Sequence, residues 1–238
     1  MTITSGAVAT TGVRAPGRRP RAVLFDVFET MLQVDALRSR FVDVGRPEHE
    51  CALFFASTLR DGMAHTLAGA VRPFGEVARA ALRTTTGHTL SDEAVEHVIA
   101  GFRELPPHPD VEPALMALAR ARIPAFGFTH GTESAACDAL DGAGLRTYLR
   151  DVFSTEQIGS FKPPARVYHW ACQRVELPPE KVALVAAHSW DVHGAVRAGL
   201  IGGLATRLEG AVPDVVERPH VVAERLDAVV ERLIALPV

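Results

Sequence analysis

Short apolar runs alternate with helical patterns along most of this chain, and this alternation constrains the fold more than any other feature. It predicts a parallel β-sheet whose strands are joined by crossover helices. The runs that predict strands are Ala22–Phe25, Ala125–Thr129, Asp151–Ser154, Val182–Ala187 and Ile201–Thr206. The helical patterns between them are Asp110–Arg122, Glu133–Ala143, Arg166–Val175 and Asp191–Ala198. The sequence therefore predicts an α/β fold built on a doubly wound, Rossmann-like parallel sheet.

A long stretch without a convincing strand separates the first two apolar runs. It contains four helical patterns, Ala36–Val44, Glu48–Leu67, Phe74–Arg83 and Asp92–Phe102, with Ser91 as a candidate N-cap for the last. This arrangement predicts a helical cap domain over residues 33–107, inserted after the first strand. The core domain would then comprise residues 21–32 and 108–238. Residues 1–20 are small, polar and basic without the apolar segment of a secretory signal, which predicts a disordered tail.

Composition excludes several classes of function. The 238 residues carry a net charge of −3, so no basic field indicates a nucleic-acid partner. No apolar run approaches the ~18–20 residues that a membrane-spanning helix needs. Cys51, Cys137 and Cys172 are far apart and lack metal-ligand spacing, which predicts reduced thiols and a cytoplasmic location. We expect a small-molecule substrate, and the sequence leaves open a homodimer or a complex with a partner protein.

Polar residues follow the predicted strands where each strand ends. Asp26 ends the first, Thr129, His130 and Gly131 close the second, and His188 and Asp191 follow the fourth. In open α/β sheets, ligands bind in the crevice beyond the carboxyl ends of the strands. These residues are therefore expected to meet at one edge of the sheet.

The same edge would receive Lys162, one of only two lysines in the chain. A carboxylate, an ammonium group and a second carboxylate suit nucleophilic displacement, in which a covalent ester forms and is then hydrolysed. Lys162 would keep Asp26 ionised and oriented, and Asp191 would orient Lys162. Thr129 and the Gly131 amide, at a helix N-terminus, are candidates for holding an anion.

Four segments in this order resemble the motifs of the haloacid dehalogenase superfamily: FDVFETML, FTHGTES, SFKPPARVY and AAHSWD. Within it, the chain is most similar to the type II 2-haloacid dehalogenases, over about residues 21–208. The resemblance implies that Asp26 is the nucleophile and Thr30 its neighbouring hydroxyl. It also implies motif roles for Thr129, Lys162, Tyr168, Trp190 and Asp191.

Phe28 separates two chemistries within that superfamily. Its phosphatases need a second aspartate two residues after the nucleophile to protonate the leaving group, a step that contributes roughly 10²–10⁴-fold. Phe28 cannot donate a proton, and Ala186 and Ala187 occupy the region of the family's Mg²⁺ ligand. We therefore expect no metal and no other cofactor. A leaving group that departs as a weak base, such as halide, is favoured over phosphate.

Three departures from the family pattern bear on the site. The family has an arginine on the long cap helix that binds the substrate, and that position aligns on or near Phe55 here. The nearest arginine on the same predicted helix is Arg60. His130 and His188 stand where the family has asparagine, and Glu29 replaces a glycine. One imidazole would activate water or orient Asp26. Alternatively, each is a neutral donor that replaces an amide in a loop-fixing hydrogen bond.

Three hypotheses follow. The first is a hydrolase in which Asp26 displaces halide from a small 2-halo acid. The second is a biosynthetic enzyme that expels sulfate or a similar group, by intramolecular ring closure. The third is a non-catalytic partner subunit. The catalytic candidates are Asp26, Thr30, Thr129, Lys162, His188 and Asp191, and the substrate-binding candidates are Phe28, Arg60, His130, Gly131, Tyr168 and Trp190.

Overall fold

A computed structural model describes residues 18–238, in which six strands form one sheet flanked by helices. The strands are β1 (Ala22–Asp26), β2 (Ala125–Thr129), β3 (Leu149–Ser154), β4 (Val182–Ala186), β5 (Ile201–Ala205) and β6 (Val221–Ala223). The helices are α1 (Arg38–Asp43), α2 (Glu50–Leu67), α3 (Phe74–Thr85), α4 (Asp92–Ala100), α5 (Val111–Arg120), α6 (Glu133–Gly142), α7 (Ala165–Arg174), α8 (Ser189–Arg197) and α9 (Leu226–Ile234).

The strand order is β3-β2-β1-β4-β5-β6, and every neighbouring pair is parallel. The chain winds outward from β1 to β3 and then crosses to the other side of β1 to form β4. This reversal places the topological switch point between β1 and β4, where such sheets bind ligands. The predicted doubly wound α/β fold is confirmed.

Helices cover both faces of the sheet. Successive residues of a strand point to opposite faces, so Val23 and Phe25 pack in the core that includes apolar residues of α5, α6 and α9. Ala22 and Leu24 pack with residues of α7 and α8 on the other face. Burial on both faces explains why the strands read as continuous apolar runs rather than as alternating ones.

Helices α1 to α4 lie between β1 and α5 and form a helical insertion. An aromatic cluster joins this insertion to the turn after β1, because the ring centroids of Phe28 and Phe74 lie 5.3 Å and 5.7 Å from that of Phe102. The Oγ of Ser91 accepts the backbone N–H of Ala94, which confirms the predicted N-cap of α4. The insertion therefore packs directly above the end of β1.

The C-terminal region differs from the expectation. Neither β6 nor α9 was predicted; β6 has three residues and so offers no alternation to detect. Most of the predicted tail, residues 1–17, lies outside the described residues. Arg19 donates its backbone N–H to the Pro237 carbonyl at 2.7 Å, and Pro20 is buried. The described fold therefore begins before residue 21.

The structure also bears on membrane-spanning helices and on the state of the cysteines. No helix within residues 18–238 is both long and apolar enough to cross a membrane. The three cysteines are unbonded thiols, and Cys51 and Cys172 are buried.

Candidate active site

Asp26 ends β1 at the switch point, and both of its carboxylate oxygens accept hydrogen bonds. Lys162 Nζ donates to Oδ1 at 2.9 Å, and the Thr30 hydroxyl donates to Oδ2 at 2.7 Å. His188 Nδ1 lies 3.1 Å from the same Oδ2. The Thr30 oxygen in turn accepts the backbone N–H of Ala187 at 2.9 Å, which ties the end of β1 to the end of β4. Asp26 is therefore fixed from two neighbouring strands.

Lys162 is fully buried between two carboxylates. Its Nζ lies 2.7 Å from Asp191 Oδ2 in addition to its contact with Asp26. The Tyr168 hydroxyl donates to the remaining oxygen, Asp191 Oδ1, at 2.7 Å. Buried charges are tolerated when each is paired and hydrogen-bonded in this way. Lys162 thus joins the two acidic side chains, and Tyr168 supports the second of them from behind.

These contacts set the protonation of Asp26. Burial alone would raise the pKa of its carboxyl group, but the charge of Lys162 and the contact with His188 outweigh burial. The pKa of Asp26 is consequently held well below its usual range. The pKa of Lys162 is raised despite its burial, because Asp191 and Asp26 favour the charged form. At neutral pH the site contains an ionised aspartate beside an ammonium group.

His188 lies between two carboxylates. Its Nδ1 faces Asp26, and its Nε2 is 2.7 Å from Glu29 Oε2. Burial alone would lower the pKa of this imidazole, but the hydrogen bonds to the two acids raise it to about 10. The geometry therefore favours a cationic donor at neutral pH over a base or a neutral amide substitute.

Glu29 is a site residue that the sequence reasoning did not select. It adopts a left-handed backbone conformation with φ of 66°, a region that favours glycine. The strain of a non-glycine residue there is on the order of 1–3 kcal/mol. An acidic residue at the position where the family resemblance implies glycine was the signal that could have identified it.

His130 has the opposite electrostatic character. Burial first, and then the positive charge of Lys162, lower the pKa of its imidazole well below the usual value, so it is neutral. Its Nδ1 lies 3.3 Å from Thr155 Oγ1, and its ring stacks on Phe161 with centroids 4.8 Å apart. The buried Nε2 atom has no hydrogen-bond partner within the described part of the chain. A buried polar atom of this kind is costly unless a ligand or water completes it.

A small cavity of about 10 Å³ adjoins Asp26, enough for about one water molecule. The helical insertion contributes an apolar wall to it. The lining residues are Asp26, Phe28, Phe55, Leu59, Phe74, Thr129, His130, His188 and Trp190. Among residues 18–238, the lining includes no arginine or lysine side chain.

The structure does not bring three predicted substrate-binding residues to this cavity. Arg60 is 67% exposed at its side chain and pairs with Asp61. Phe55 and Leu59 are one helical turn apart and face the cavity together, whereas residue 60 is rotated by about 100° from Leu59. Tyr168 is buried behind Asp191. Gly131 lines a separate cleft, and its N–H donates to Thr129 Oγ1.

That cleft is larger, about 380 Å³, and lies on the other side of Phe28. Phe28 and Phe74 line both spaces and so separate them. Gly131 allows this arrangement, because a Cβ atom there would lie 2.9 Å from the Phe28 ring. Two arginines border the cleft, and both pair with carboxylates: Arg79 with Glu96 and Arg103 with Asp138.

The superfamily resemblance raises the question of a Mg²⁺ ion at Asp26. Within the described residues, no group of three or more His, Cys, Asp and Glu side chains is arranged to hold a metal ion. Both oxygens of Asp26 already accept bonds from Lys162, Thr30 and His188, and two of these donors are cationic. This donor set does not fit a divalent cation.

Comparison with known proteins agrees with this architecture. The profile of the haloacid dehalogenase-like hydrolases matches residues 20–199. A relative, (S)-2-haloacid dehalogenase 1 of Pseudomonas sp. strain CBS-3, is 28% identical over 180 residues, 74% of this chain and 79% of that protein. A glyceraldehyde 3-phosphate phosphatase of Methanopyrus kandleri is 30% identical over 141 residues, 55% of this chain and 59% of that protein.

A solved structure shows the same fold. The L-2-haloacid dehalogenase of Xanthobacter autotrophicus with chloropropionic acid covalently bound superposes with a TM-score of 0.82 at 21% identity. The match covers 91% of this chain and 98% of that protein. Fold and site together define a hydrolase with a Rossmann-like core. Because the profile spans more than half of the chain, the protein belongs to the haloacid dehalogenase-like hydrolase family.

Proposed function

We propose that this hydrolase displaces halide from a small 2-halo acid through an ester of Asp26. The observation that carries the proposal is the contact set of Asp26, an ionised carboxylate fixed by Lys162 and Thr30 beside a cavity with one apolar wall. The covalently bound chloropropionic acid in the Xanthobacter autotrophicus neighbour supports the same route. A carboxylate nucleophile splits a difficult substitution into two easier steps.

In the first step, one Asp26 oxygen attacks the carbon that bears the halogen. The new C–O bond forms as the carbon–halogen bond breaks, and the halide leaves with the bonding electron pair. Halide is a weak base and needs no proton donor, which agrees with Phe28 at the position where a phosphatase has its acid. The apolar wall formed by Phe55, Leu59 and Phe74 would keep water from competing with the substrate.

In the second step, water attacks the ester carbon of Asp26 and releases the 2-hydroxy acid. His188 is an unsuitable base for this water because it is already protonated at neutral pH. His130 is neutral, and its Nε2 lies beside the cavity, buried and without a hydrogen-bond partner among residues 18–238. We assign His130 Nε2 to the hydrogen bond that orients the attacking water.

We further propose that the reaction needs no metal. Lys162 and His188 supply two positive charges in contact with Asp26, which are the charges a divalent ion would otherwise bring. The cap domain over residues 33–107, the cytoplasmic location and an assembly as homodimer or hetero-complex stay predictions from the sequence.

Single turnover in H₂¹⁸O tests the covalent route. The Asp26 carboxylate should acquire ¹⁸O, detected by mass spectrometry of the peptide that contains it. Active enzyme without label would contradict the ester. A parallel screen of 2-haloacids, phosphate esters and sulfate esters should give halide release that survives chelation of divalent metals. Phosphate release that depends on Mg²⁺ would overturn the proposed substrate class.

A second candidate function is favoured by the apolar wall. The described lining residues include no arginine or lysine to pair with a substrate carboxylate, which would suit an apolar substrate that expels sulfate by ring closure. The oxygen of the product separates the two functions. Over many turnovers in H₂¹⁸O, ester hydrolysis carries the solvent oxygen left on Asp26 into the next product, whereas ring closure gives a product without solvent oxygen.

A further inference from the structure

We propose that Glu29 is a positioning residue that keeps His188 in its imidazolium form against Asp26 Oδ2, where it stabilises the oxyanion of ester hydrolysis. The inference rests on the proposed covalent route and assigns a role to a residue outside the family motif set. Three contacts carry it: His188 to Asp26 at 3.1 Å, His188 to Glu29 at 2.7 Å, and Thr30 to Asp26 at 2.7 Å.

The hydrogen bonds of Asp26 distinguish its two oxygens. Each carboxylate oxygen has two lone-pair sites. Oδ2 uses both, for the Thr30 hydroxyl and for His188 Nδ1, whereas Oδ1 accepts from Lys162 and retains one site. Oδ1 is therefore the oxygen that attacks the substrate. Oδ2 becomes the carbonyl oxygen of the ester, already in contact with two donors.

Hydrolysis then places negative charge on Oδ2. The water oxygen bonds to Cγ of the Asp26 ester, and the π electron pair of the carbonyl moves onto Oδ2. The electron pair then re-forms the carbonyl bond between Cγ and Oδ2 as the Cγ–Oδ1 bond breaks. Oδ1 leaves as the hydroxyl oxygen of the product and takes one proton of the water. The other proton is released when the Asp26 carboxylate re-forms. Donors that already face the developing charge need no reorganisation, and a cationic donor stabilises it more than a neutral one.

The backbone of Glu29 favours this role over a chance contact. Its φ of 66° lies in the region that glycine adopts without strain, yet the chain places a carboxylate there. The N–H of Glu29 donates to the Leu32 carbonyl at 2.8 Å, which holds the turn. The side chain is 23% exposed and reaches inward to the buried His188 ring. A residue kept at a strained position is expected to have a compensating contact, and here that contact is His188.

The other charged groups around His188 act in both directions. Asp26 on β1 and Glu29 in the following turn favour the imidazolium. Lys162, in the loop before α7, opposes it across Asp26, and His130 beyond β2 is neutral. Glu209 accepts the backbone N–H of Ser189, the residue after His188. Without Glu29, the ring keeps Asp26 as its one acidic contact within the described residues, and Asp26 shares its charge with Lys162.

The experiment compares the wild-type protein with Glu29→Gln by ¹⁵N-histidine NMR and by single-turnover kinetics between about pH 6 and about pH 10. Wild-type His188 should stay protonated through neutral pH. In the variant it should lose its proton at a lower pH, and ester hydrolysis should slow by about tenfold to a hundredfold on the alkaline side. The initial halide burst should persist, so the ester should accumulate.

Two variants and an internal control separate this role from a structural one. Glu29→Gly removes the carboxylate and relieves the backbone strain, so slower alkaline hydrolysis in this variant cannot be attributed to misfolding. His188→Asn keeps a donor without a charge, and its hydrolysis should be slow and independent of pH. Asp43→Asn removes the acid from the exposed His97–Asp43 pair, 3.1 Å apart, and should leave the kinetics unchanged.

The outcomes distinguish this inference from the proposed function. An ester that forms in wild type but shows the same pH profile of hydrolysis in wild type, Glu29→Gln and Glu29→Gly would overturn the inference alone. Halide release without any ester or ¹⁸O label would overturn both. A wild-type His188 that titrates near neutrality would overturn the inference whatever the kinetics show.

Discussion

The two walls of the cavity at Asp26 differ in kind. At the edge of the sheet, five ionisable side chains are held in contact with one another: Asp26, Glu29, Lys162, His188 and Asp191. The wall that the helical insertion provides consists of Phe55, Leu59 and Phe74. We therefore expect the sheet edge to supply the chemistry and the insertion to decide which substrates fit.

The contrast has a physical basis. Parallel strands bring their carboxyl ends to one edge, so side chains distant in sequence pair there and compensate for one another's burial. The helices of the insertion are held to the core by aromatic packing around Phe102. A charged side chain on the wall of Phe55, Leu59 and Phe74 would be buried among apolar side chains and would need an oppositely charged partner there. The proposals above can be tested by exchanging these properties between the two walls.

Lys162→Met should have the largest effect, because it leaves two buried carboxylates without their shared cation. We expect a loss of about 3–5 kcal/mol in the free energy of unfolding and a fall in turnover of about 10²–10³-fold. Denaturant unfolding and halide release measure the two effects. The matched control is Lys181→Met, which removes the other, exposed lysine and should change neither quantity. A Lys162→Met protein with near wild-type turnover would contradict the role of the sheet edge.

The protonation of His188 should make stability depend on pH. Its pKa is raised to about 10 in the folded protein, above the unfolded value near 6.5. The stabilisation is therefore complete below about pH 6.5 and is lost as the pH rises through the folded value, on the order of 5 kcal/mol in all. Denaturant unfolding at a series of pH values should show this decline, which in Glu29→Gln should end at a lower pH and be smaller in total. A decline that ends at the same pH in both proteins would mean that Glu29 does not raise the pKa of His188.

Leu59→Arg would place a cation on the apolar wall. If the substrate is a 2-halo acid, the new guanidinium should pair with its carboxylate and lower KM by about tenfold, since hydrogen bonds to charged groups contribute about 1.5–3 kcal/mol. Steady-state kinetics with a 2-haloacid and with its amide measure the change, which should be absent for the amide. Arg60→Ala is the control and should alter KM by less than about twofold, because Arg60 is exposed and pairs with Asp61.

Phe28→Leu should have the smallest effect on turnover and change selectivity instead. Phe28 separates the cavity at Asp26 from the larger cleft, so a smaller side chain opens a path between them. The preference for longer over shorter 2-haloalkanoates should rise by a few fold, with a stability cost of about 1 kcal/mol. Competition between two chain lengths measures the ratio. An unchanged ratio would show that the cleft takes no part in substrate binding.

The sequence by itself determined the scaffold and the positions of its polar strand ends. Apolar runs in alternation with helices specify a parallel sheet, and such a sheet brings residues after its strands to one edge, as it does Asp26, Lys162 and Asp191. β6 was not predicted because three residues are too few to show the alternation of apolar and polar residues that marks a strand.

Only the tertiary structure decided which side chains meet. The contact between Glu29 and His188 joins positions 159 residues apart, and a pattern that reports local periodicity cannot reveal such a pair. Arg60 and Leu59 are neighbours on one helix, and the way α2 packs turns Leu59 to the cavity and Arg60 to solvent. Local sequence sets the period of an element, whereas packing sets its rotation and therefore which residues face the site.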